Sequence, residues 1–229
     1  MKKLILILNL CAACSNMSQQ GFTNKTEAKN EMVNGRKEGK WIEYRDSTFK
    51  PTNDTAAPYY DLSVYKGGLH YGMENMYYKS GNLYGDIPYI NGMANGLGKS
   101  YYKSGKLQTV FLYSGGKFNG LVKMYYENGK LKLETPYKND TIDGIEKQYY
   151  ESGELAKEMP YTKGTENGLA KMYYKNGKVF CEMPIVKGLE SGKTKAYDTS
   201  GRLKSESIFT DGSVGQVTNY DESGNEIKQ

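Results

Sequence analysis

The chain has 229 residues, of which 38% are hydrophobic, and it carries 22 Tyr against 6 Phe and 1 Trp, with 27 Gly. Leu, Ile and Val are too sparse for a thick globular core, while so many regularly placed aromatics exclude a disordered chain and favour a thin, wet β architecture. The formal charge of +5, from 31 Lys and Arg against 26 Asp and Glu, is small and interspersed, so nothing in it points to nucleic acid.

Residues 1–13 read as an export leader. Lys2 and Lys3 form a short positive region, Leu4 to Leu10 is a brief apolar stretch, and Cys11-Ala12-Ala13-Cys14 follows. About ten apolar residues cannot span a bilayer as a helix, which needs roughly 20. The small residues before Cys14 resemble the bacterial lipobox, in which the leader is cut and the new N-terminal cysteine is acylated. Cys11 stands where a lipobox usually carries Leu, with Leu10 one place earlier. An ordinary secretory leader or a buried N-terminal strand is the alternative. Acyl chains contribute roughly 0.8 kcal/mol per buried CH₂, so several on Cys14 would hold the chain at a membrane. Residues 14–32 then read as a polar tether. The expected setting is the bacterial cell envelope, on the outer membrane, facing the periplasm or the surface. Losing Lys2 and Lys3 with the leader lowers the formal charge from +5 to +3. Cys181 would be the one cysteine left besides Cys14, so no internal disulfide framework is expected.

From residue 33 to 229 the chain repeats. Gly72, Gly96, Gly120, Gly144, Gly168 and Gly192 are each 24 residues apart, as are Tyr77, Tyr101, Tyr125, Tyr149, Tyr173 and Tyr197. A second glycine series, Gly81, Gly105, Gly129, Gly153, Gly177 and Gly201, keeps step. Tyr65, Tyr89, Tyr113, Tyr137 and Tyr161 form a further column, continued by Ile185 and Phe209. An early unit is visible around Gly39 to Tyr44, separated from the others by an insertion near 47–68, and a shortened one at Gly215, Tyr220 and Gly224 closes the series of about seven units. Glycines this frequent leave no room for a useful helix. The expected fold is all-β: consecutive 24-residue β-hairpins in a long antiparallel meander, each unit stabilising its neighbours.

Within a unit, Asn128-Gly129 predicts a two-residue type I′ turn between Leu121–Glu127 and a strand starting at Lys130. Ser80-Gly81, Ser104-Gly105, Ser152-Gly153, Asn176-Gly177 and Ser200-Gly201 stand at the same place. A looser loop around Asn139 to Gly144 is expected to lead into the next unit. In that register Lys123 faces Glu134, Lys147 faces Glu158, Lys171 faces Glu182 and Lys195 faces Glu206, pairs worth roughly 0.2–1 kcal/mol each. Pro136, Pro160 and Pro184 strain the register, because they would face the first strand without an N–H to donate; pairing stops there or a bulge intervenes. Alternation assigns Tyr126, Met124, Leu131 and Leu133 to an apolar face, and Tyr125, Lys123, Glu134 and Lys132 to a polar one. An apolar face of this length is a liability for a monomer, so curvature or homodimerisation through it is expected to hide it.

The unit Gly120-Leu121-Val122-Lys123-Met124-Tyr125-Tyr126-Glu127-Asn128-Gly129-Lys130-Leu131, with Tyr137, resembles the MORN repeat. It looks most like the bacterial variant labelled as the YwqK-like antitoxin repeat family, and the resemblance extends over residues 33–229. It implies stacked β-hairpins and a scaffold or partner-binding role. The antitoxin label implies neutralisation of a toxin, but an exported, anchored chain departs from the cytoplasmic setting of such pairs.

Catalytic signals are absent from the sequence after the expected leader, whose end holds the one CxxC, Cys11 to Cys14: there is no HExxH, GxSxG or P-loop pattern. No enzyme activity, cofactor or metal site is therefore expected. His70, the one histidine, reads as a surface residue, and Cys181 as a small core hydrophobe. The leading expectation is a membrane-anchored, non-catalytic scaffold for an envelope protein or glycan. Its candidate binding residues are the ladder Tyr77, Tyr101, Tyr125, Tyr149, Tyr173 and Tyr197 beside Lys99, Lys123, Lys147 and Lys171. The competing reading is that these tyrosines only brace the sheet. Two other functions stay open: an antitoxin-like protein, and a glycan- or lipid-active enzyme with its site in the 47–68 insertion, which carries Tyr59-Tyr60.

Overall fold

A computed structural model describes residues 21–228; the expected leader, Cys14 and the first part of the tether lie outside the described residues. The chain divides into two units, one ending at Phe118 and the other beginning at Asn119. In the first unit Glu31–Val33, Arg36–Arg45, Tyr59–Lys66, Gly72–Tyr78, Leu83–Ile90, Gly96–Tyr101 and Leu107–Ser114 pair antiparallel in chain order. The second is built the same way from Gly120–Tyr125, Leu131–Lys138, Gly144–Tyr149, Leu155–Thr162, Gly168–Tyr173, Val179–Val186, Gly192–Tyr197, Leu203–Thr210 and Ser213–Asn219. The fold is all-β, an antiparallel meander of hairpin repeats, as the 24-residue spacing predicts.

The charge register is the expected one. Lys123 lies opposite Glu134, Lys147 opposite Glu158, Lys171 opposite Glu182 and Lys195 opposite Glu206. The two kinds of turn, however, are exchanged. At Asn128-Gly129 the Tyr126 N–H donates to the Lys130 carbonyl at 2.8 Å and the Gly129 N–H to the Tyr126 carbonyl at 2.9 Å. Only Gly129 takes positive φ, at +84°, so this is a three-residue loop whose glycine forms a bulge. The type I′ turns are the connections expected to be loose: Asn139 and Asp140 at φ +51° and +66°, Lys163 and Gly164 at +49° and +84°, Lys187 and Gly188 at +53° and +83°. Each joins directly paired residues, such as Lys138 and Thr141.

The bulge reassigns two residues per unit. Met124 pairs with Leu133 but Tyr125 pairs with Leu131, one residue out of step. Leu131 therefore shares the face of Tyr125, not that of Tyr126. Lys132 moves the other way, and its ammonium lies 5.6 Å from the centre of the Tyr126 ring.

Pairing runs straight through the prolines: Leu121 lies opposite Pro136, Ile145 opposite Pro160 and Leu169 opposite Pro184. The Pro136 carbonyl accepts from Asp143 N–H at 3.0 Å, on the side of the following hairpin. An extended residue points both its backbone polar groups to one side, so the missing proline donor also faces that hairpin. There the strand breaks between Thr141–Ile142 and Gly144–Tyr149. Gly144 takes φ +131°, and a Cβ on it would lie 2.9 Å from Pro136 Cγ; Gly168, at +130°, meets Pro160 in the same way.

A single layer buries little. The first unit has a small cluster of Phe22, Leu62 and Tyr77, flanked by Ile42, Val64 and Leu83; the second has one of Met159, Ala170 and Ile185, flanked by Tyr161 and Met183. Phe22 falls in the stretch expected to be tether. From Gly21 onward that stretch is packed on the sheet, because an aromatic ring offered an apolar patch is worth roughly 1.5–3 kcal/mol when buried. The insertion is equally ordered. Asp46 Oδ1 accepts from the Thr48 and Lys50 N–H groups at 2.7 and 3.0 Å, and Phe49 stacks on Tyr59 at 4.6 Å. Its second half, Tyr59–Lys66, is an ordinary repeat strand.

The glycine–proline crossing predicts that Gly144→Ala lowers stability by about 1–3 kcal/mol, since strained φ and a clash coincide. Gly129→Asn, in open space at an Asn-tolerant conformation, should cost less than about 1 kcal/mol. Urea unfolding followed by tyrosine fluorescence compares them, and equal losses would show that the proline contact does not matter.

Candidate functional site

In the second unit the predicted lysines and tyrosines come together on one face. Lys123 reaches Glu134 at 3.1 Å, Lys147 reaches Glu158 at 3.7 Å and Lys171 reaches Glu182 at 3.4 Å. The register also sets Glu134 opposite Lys147, Glu158 opposite Lys171 and Glu182 opposite Lys195. Each carboxylate thus stands between two ammonium groups, and the charges alternate across the strands.

The tyrosine hydroxyls complete this row. Tyr149 donates to Glu134 at 3.0 Å, Tyr173 to Glu158 at 2.8 Å and Tyr197 to Glu182 at 3.0 Å. Burial, with these carboxylates adding to it, pushes the Tyr149 and Tyr173 hydroxyls up to about 12. Tyr125 stands on the same face opposite Leu131. The other tyrosine of each pair reaches forward: Tyr126 donates to the Tyr149 carbonyl at 2.7 Å, Tyr150 to Tyr173 at 2.6 Å and Tyr174 to Tyr197 at 2.8 Å. Both tyrosines therefore tie successive hairpins together. In the first unit Tyr101 donates to Asp86 at 3.0 Å, Lys99 lies opposite Asp86, and Tyr77 is buried, stacked on Tyr60 at 5.2 Å.

Beyond the charge row the same face carries apolar side chains that sequence reasoning passed over. Leu121, Ile145 and Leu169 alternate with Lys123, Lys147 and Lys171 along their strands and are 40, 51 and 45% exposed. Their signal was a column of aliphatic residues two places before Lys99, Lys123, Lys147 and Lys171, which ends at Lys193 before Lys195.

The first unit holds a different feature, an ionic cluster around His70. Glu43 accepts from Lys37 at 2.5 Å and from the Tyr65 hydroxyl at 2.9 Å, and Arg45 pairs with Asp61. Ser63 donates to Glu74 at 3.2 Å. His70, expected on the surface, is half-buried between the rings of Tyr65 and Tyr89, with Nε2 against the Tyr65 hydroxyl and Nδ1 3.9 Å from Glu74. Three carboxylates here face two permanent cations, and the buried Asp61 Oδ1 has no hydrogen-bond partner. Burial, reinforced by Glu74 and opposed by Arg45, pushes the Asp61 carboxyl up to about 6. Burial likewise raises Glu74 and lowers His70. Burial alone would raise Glu43, but Lys37 and Tyr65 outweigh it and hold its carboxyl below the ordinary value. The signal for this cluster was Asp61, which stands where later units carry Gly85, Thr109 and Leu133.

Tyr59 and Tyr60, the tyrosines of the insertion, are both occupied in packing: Tyr59 with Phe49, Tyr78 and Tyr84, and Tyr60 with Tyr77. Cys181 is a buried free thiol opposite Met172, and burial pushes its pKa up. Among the described residues no three His, Cys, Asp or Glu side chains are grouped to hold a metal ion.

The family model of the MORN repeat variant matches four consecutive stretches, residues 94–114, 118–139, 142–163 and 166–187. No curated protein matches the chain.

Titration of Asp61 gives the ionic cluster a measurable signature. With its pKa raised from 3.8 to about 6, the folded state holds the proton more tightly than the unfolded chain. Its contribution to stability therefore falls as pH rises from about 4 to 6. Urea midpoints of Asp61→Asn should decline less with pH across that window than those of the parent; parallel curves would show that Asp61 titrates normally. The charge row should behave as an exposed network. A double-mutant cycle on Lys147 and Glu158 should give a coupling of roughly 0.2–1 kcal/mol that shrinks with added salt.

Proposed function

We propose that this chain, which carries MORN repeats of the variant type over residues 94–187, is a membrane-anchored, non-catalytic scaffold that binds a protein or glycan partner in the bacterial cell envelope. The observation that carries this reading is the periodic face of the second unit, where one Lys, one Tyr and one aliphatic residue recur at the same places from Leu121 to Tyr173. A surface that presents the same chemistry at each step suits an extended partner better than a reaction centre, which needs one constellation held in one place. The bracing of both tyrosines favours the same use, since a rigid face loses little entropy when it is covered. Anchoring rests on the sequence around Cys14.

Crosslinking and affinity capture of the full chain from cell envelopes, followed by mass spectrometry, tests the proposal. One stoichiometric partner should be recovered, and the combined change Lys123→Ser, Lys147→Ser and Lys171→Ser should reduce its capture at least about tenfold while the β-sheet circular dichroism persists. Capture unchanged by that variant would remove this face from the function. Cys14→Ala should shift the chain from the membrane fraction to the soluble one; unchanged membrane association would rule out the lipid anchor.

A further inference from the structure

The chain's own N-terminal segment narrows the class of partner. In the first unit Gly21 and Phe22 cross the face formed by Met73, Asn75 and Tyr77. A Cβ on Gly21 would lie 2.9 Å from Met73 Cβ, so the backbone rests directly on that side chain. Phe22 is buried against Leu62 and Tyr77, and Asn75 Nδ2 donates to its carbonyl at 3.1 Å. Lys40 sits 5.4 Å over the Phe22 ring and also pairs with Glu27. A backbone stretch carrying one aromatic ring, followed by the 3₁₀ turn Lys25–Glu27, is thus held by ring packing, one side-chain amide on a carbonyl, and lysine.

By repeat position Met73, Asn75 and Tyr77 correspond to Leu121, Lys123 and Tyr125, to Ile145, Lys147 and Tyr149, and to Leu169, Lys171 and Tyr173. In the second unit Leu121, Ile145 and Leu169 are 40, 51 and 45% exposed. They are paired with the rings of Pro136, Pro160 and Pro184, which extend the apolar stripe. Equivalent side chains two strands apart are separated by roughly 10 Å. A polyproline II segment advances about 9.3 Å per three-residue turn and shows the same side every third residue, whereas a β-strand alternates its sides and would turn each third residue away. Where Asn75 holds a carbonyl in the first unit, the second unit has Lys123, Lys147 and Lys171, each paired across the strand with Glu134, Glu158 or Glu182, so the row beside the stripe favours neither sign of charge.

Resting on the scaffold reading, we propose that the stripe of Leu121, Ile145 and Leu169 docks an extended, polyproline-II-like polypeptide segment with an apolar residue at every third position. Binding runs across the strands, with the apolar residues seated on successive hairpins.

Fluorescence anisotropy of the full chain with a labelled peptide of repeated Leu-Glu-Pro triplets tests this. Saturable binding is expected, weakened about tenfold by Ile145→Ser and absent for repeated Ser-Glu-Pro. Because Ile145 is half exposed, the variant should keep the parent's circular dichroism; Leu121→Ser and Leu169→Ser give independent readings. Failure of the Leu-Glu-Pro peptide to bind, or equal binding by all three variants, would overturn the proposal. So would stripe-dependent binding to phosphatidylglycerol vesicles, or stripe-dependent self-association in sedimentation, in the absence of peptide binding. If envelope capture survives Ile145→Ser but is lost with the lysine triple variant, the docking inference falls and the scaffold reading stands. If neither variant alters a captured partner, the face itself is excluded.

Discussion

A one-layer sheet has no second layer to bury its side chains against, so each hairpin must satisfy its polar groups and cover its rings with its own sequence neighbours. The paired tyrosines answer that constraint. Tyr126 donates forward to the Tyr149 carbonyl, and Tyr149 donates back to Glu134. Each hydroxyl bond is worth about 1 kcal/mol net, and the rings bring apolar area that sparse Leu and Ile do not supply. Phenylalanine would pack as well but leave the carboxylates and turn carbonyls without these donors, which explains why the chain carries 22 Tyr and only 6 Phe.

The same constraint explains the charge row. On a half-exposed face a line of lysines alone would repel itself strand by strand. Setting Glu134, Glu158 and Glu182 between successive lysines cancels that repulsion with pairs that are individually weak. The face is left nearly neutral. In a complex of the kind proposed, electrostatics on it would act chiefly on orientation, and the exposed aliphatic positions would supply affinity.

Much of this was legible in the residues. Period, hairpins and Lys–Glu register follow from spacing, because a repeat reports the same geometry several times. The turns were misplaced because Asn128-Gly129 suits both a type I′ turn and a glycine-bulge loop, and local sequence does not separate them. A third glycine column did carry the missing signal: Gly68, Gly92, Gly116, Gly164, Gly188 and Gly212 recur at the true type I′ turns, with Asp140 in the remaining place. The bulge escaped notice for a related reason. It lies between the turn and the charged pairs, so Lys123 still meets Glu134 whether or not Leu131 has changed faces.

The first unit shows where a repeat rule ends. Leu62 stands where Glu134, Glu158 and Glu182 stand in the second unit, and Asn75 where Lys123, Lys147 and Lys171 stand. Those two departures remove the charge row at that step, and Phe22 occupies the apolar place they leave. On the other face of the same strands, Asp61 and Glu74 bring carboxylates where most later units carry small or apolar residues, at the cost of a buried oxygen without a partner. Sequence alone can flag such departures, but not their consequence, because each is set by which residues the register brings opposite. The step that the chain covers with its own backbone is thus the one where a leucine and an asparagine replace the Glu and Lys of the charge row, because an uncharged pair can be desolvated under Phe22 without stranding an ion.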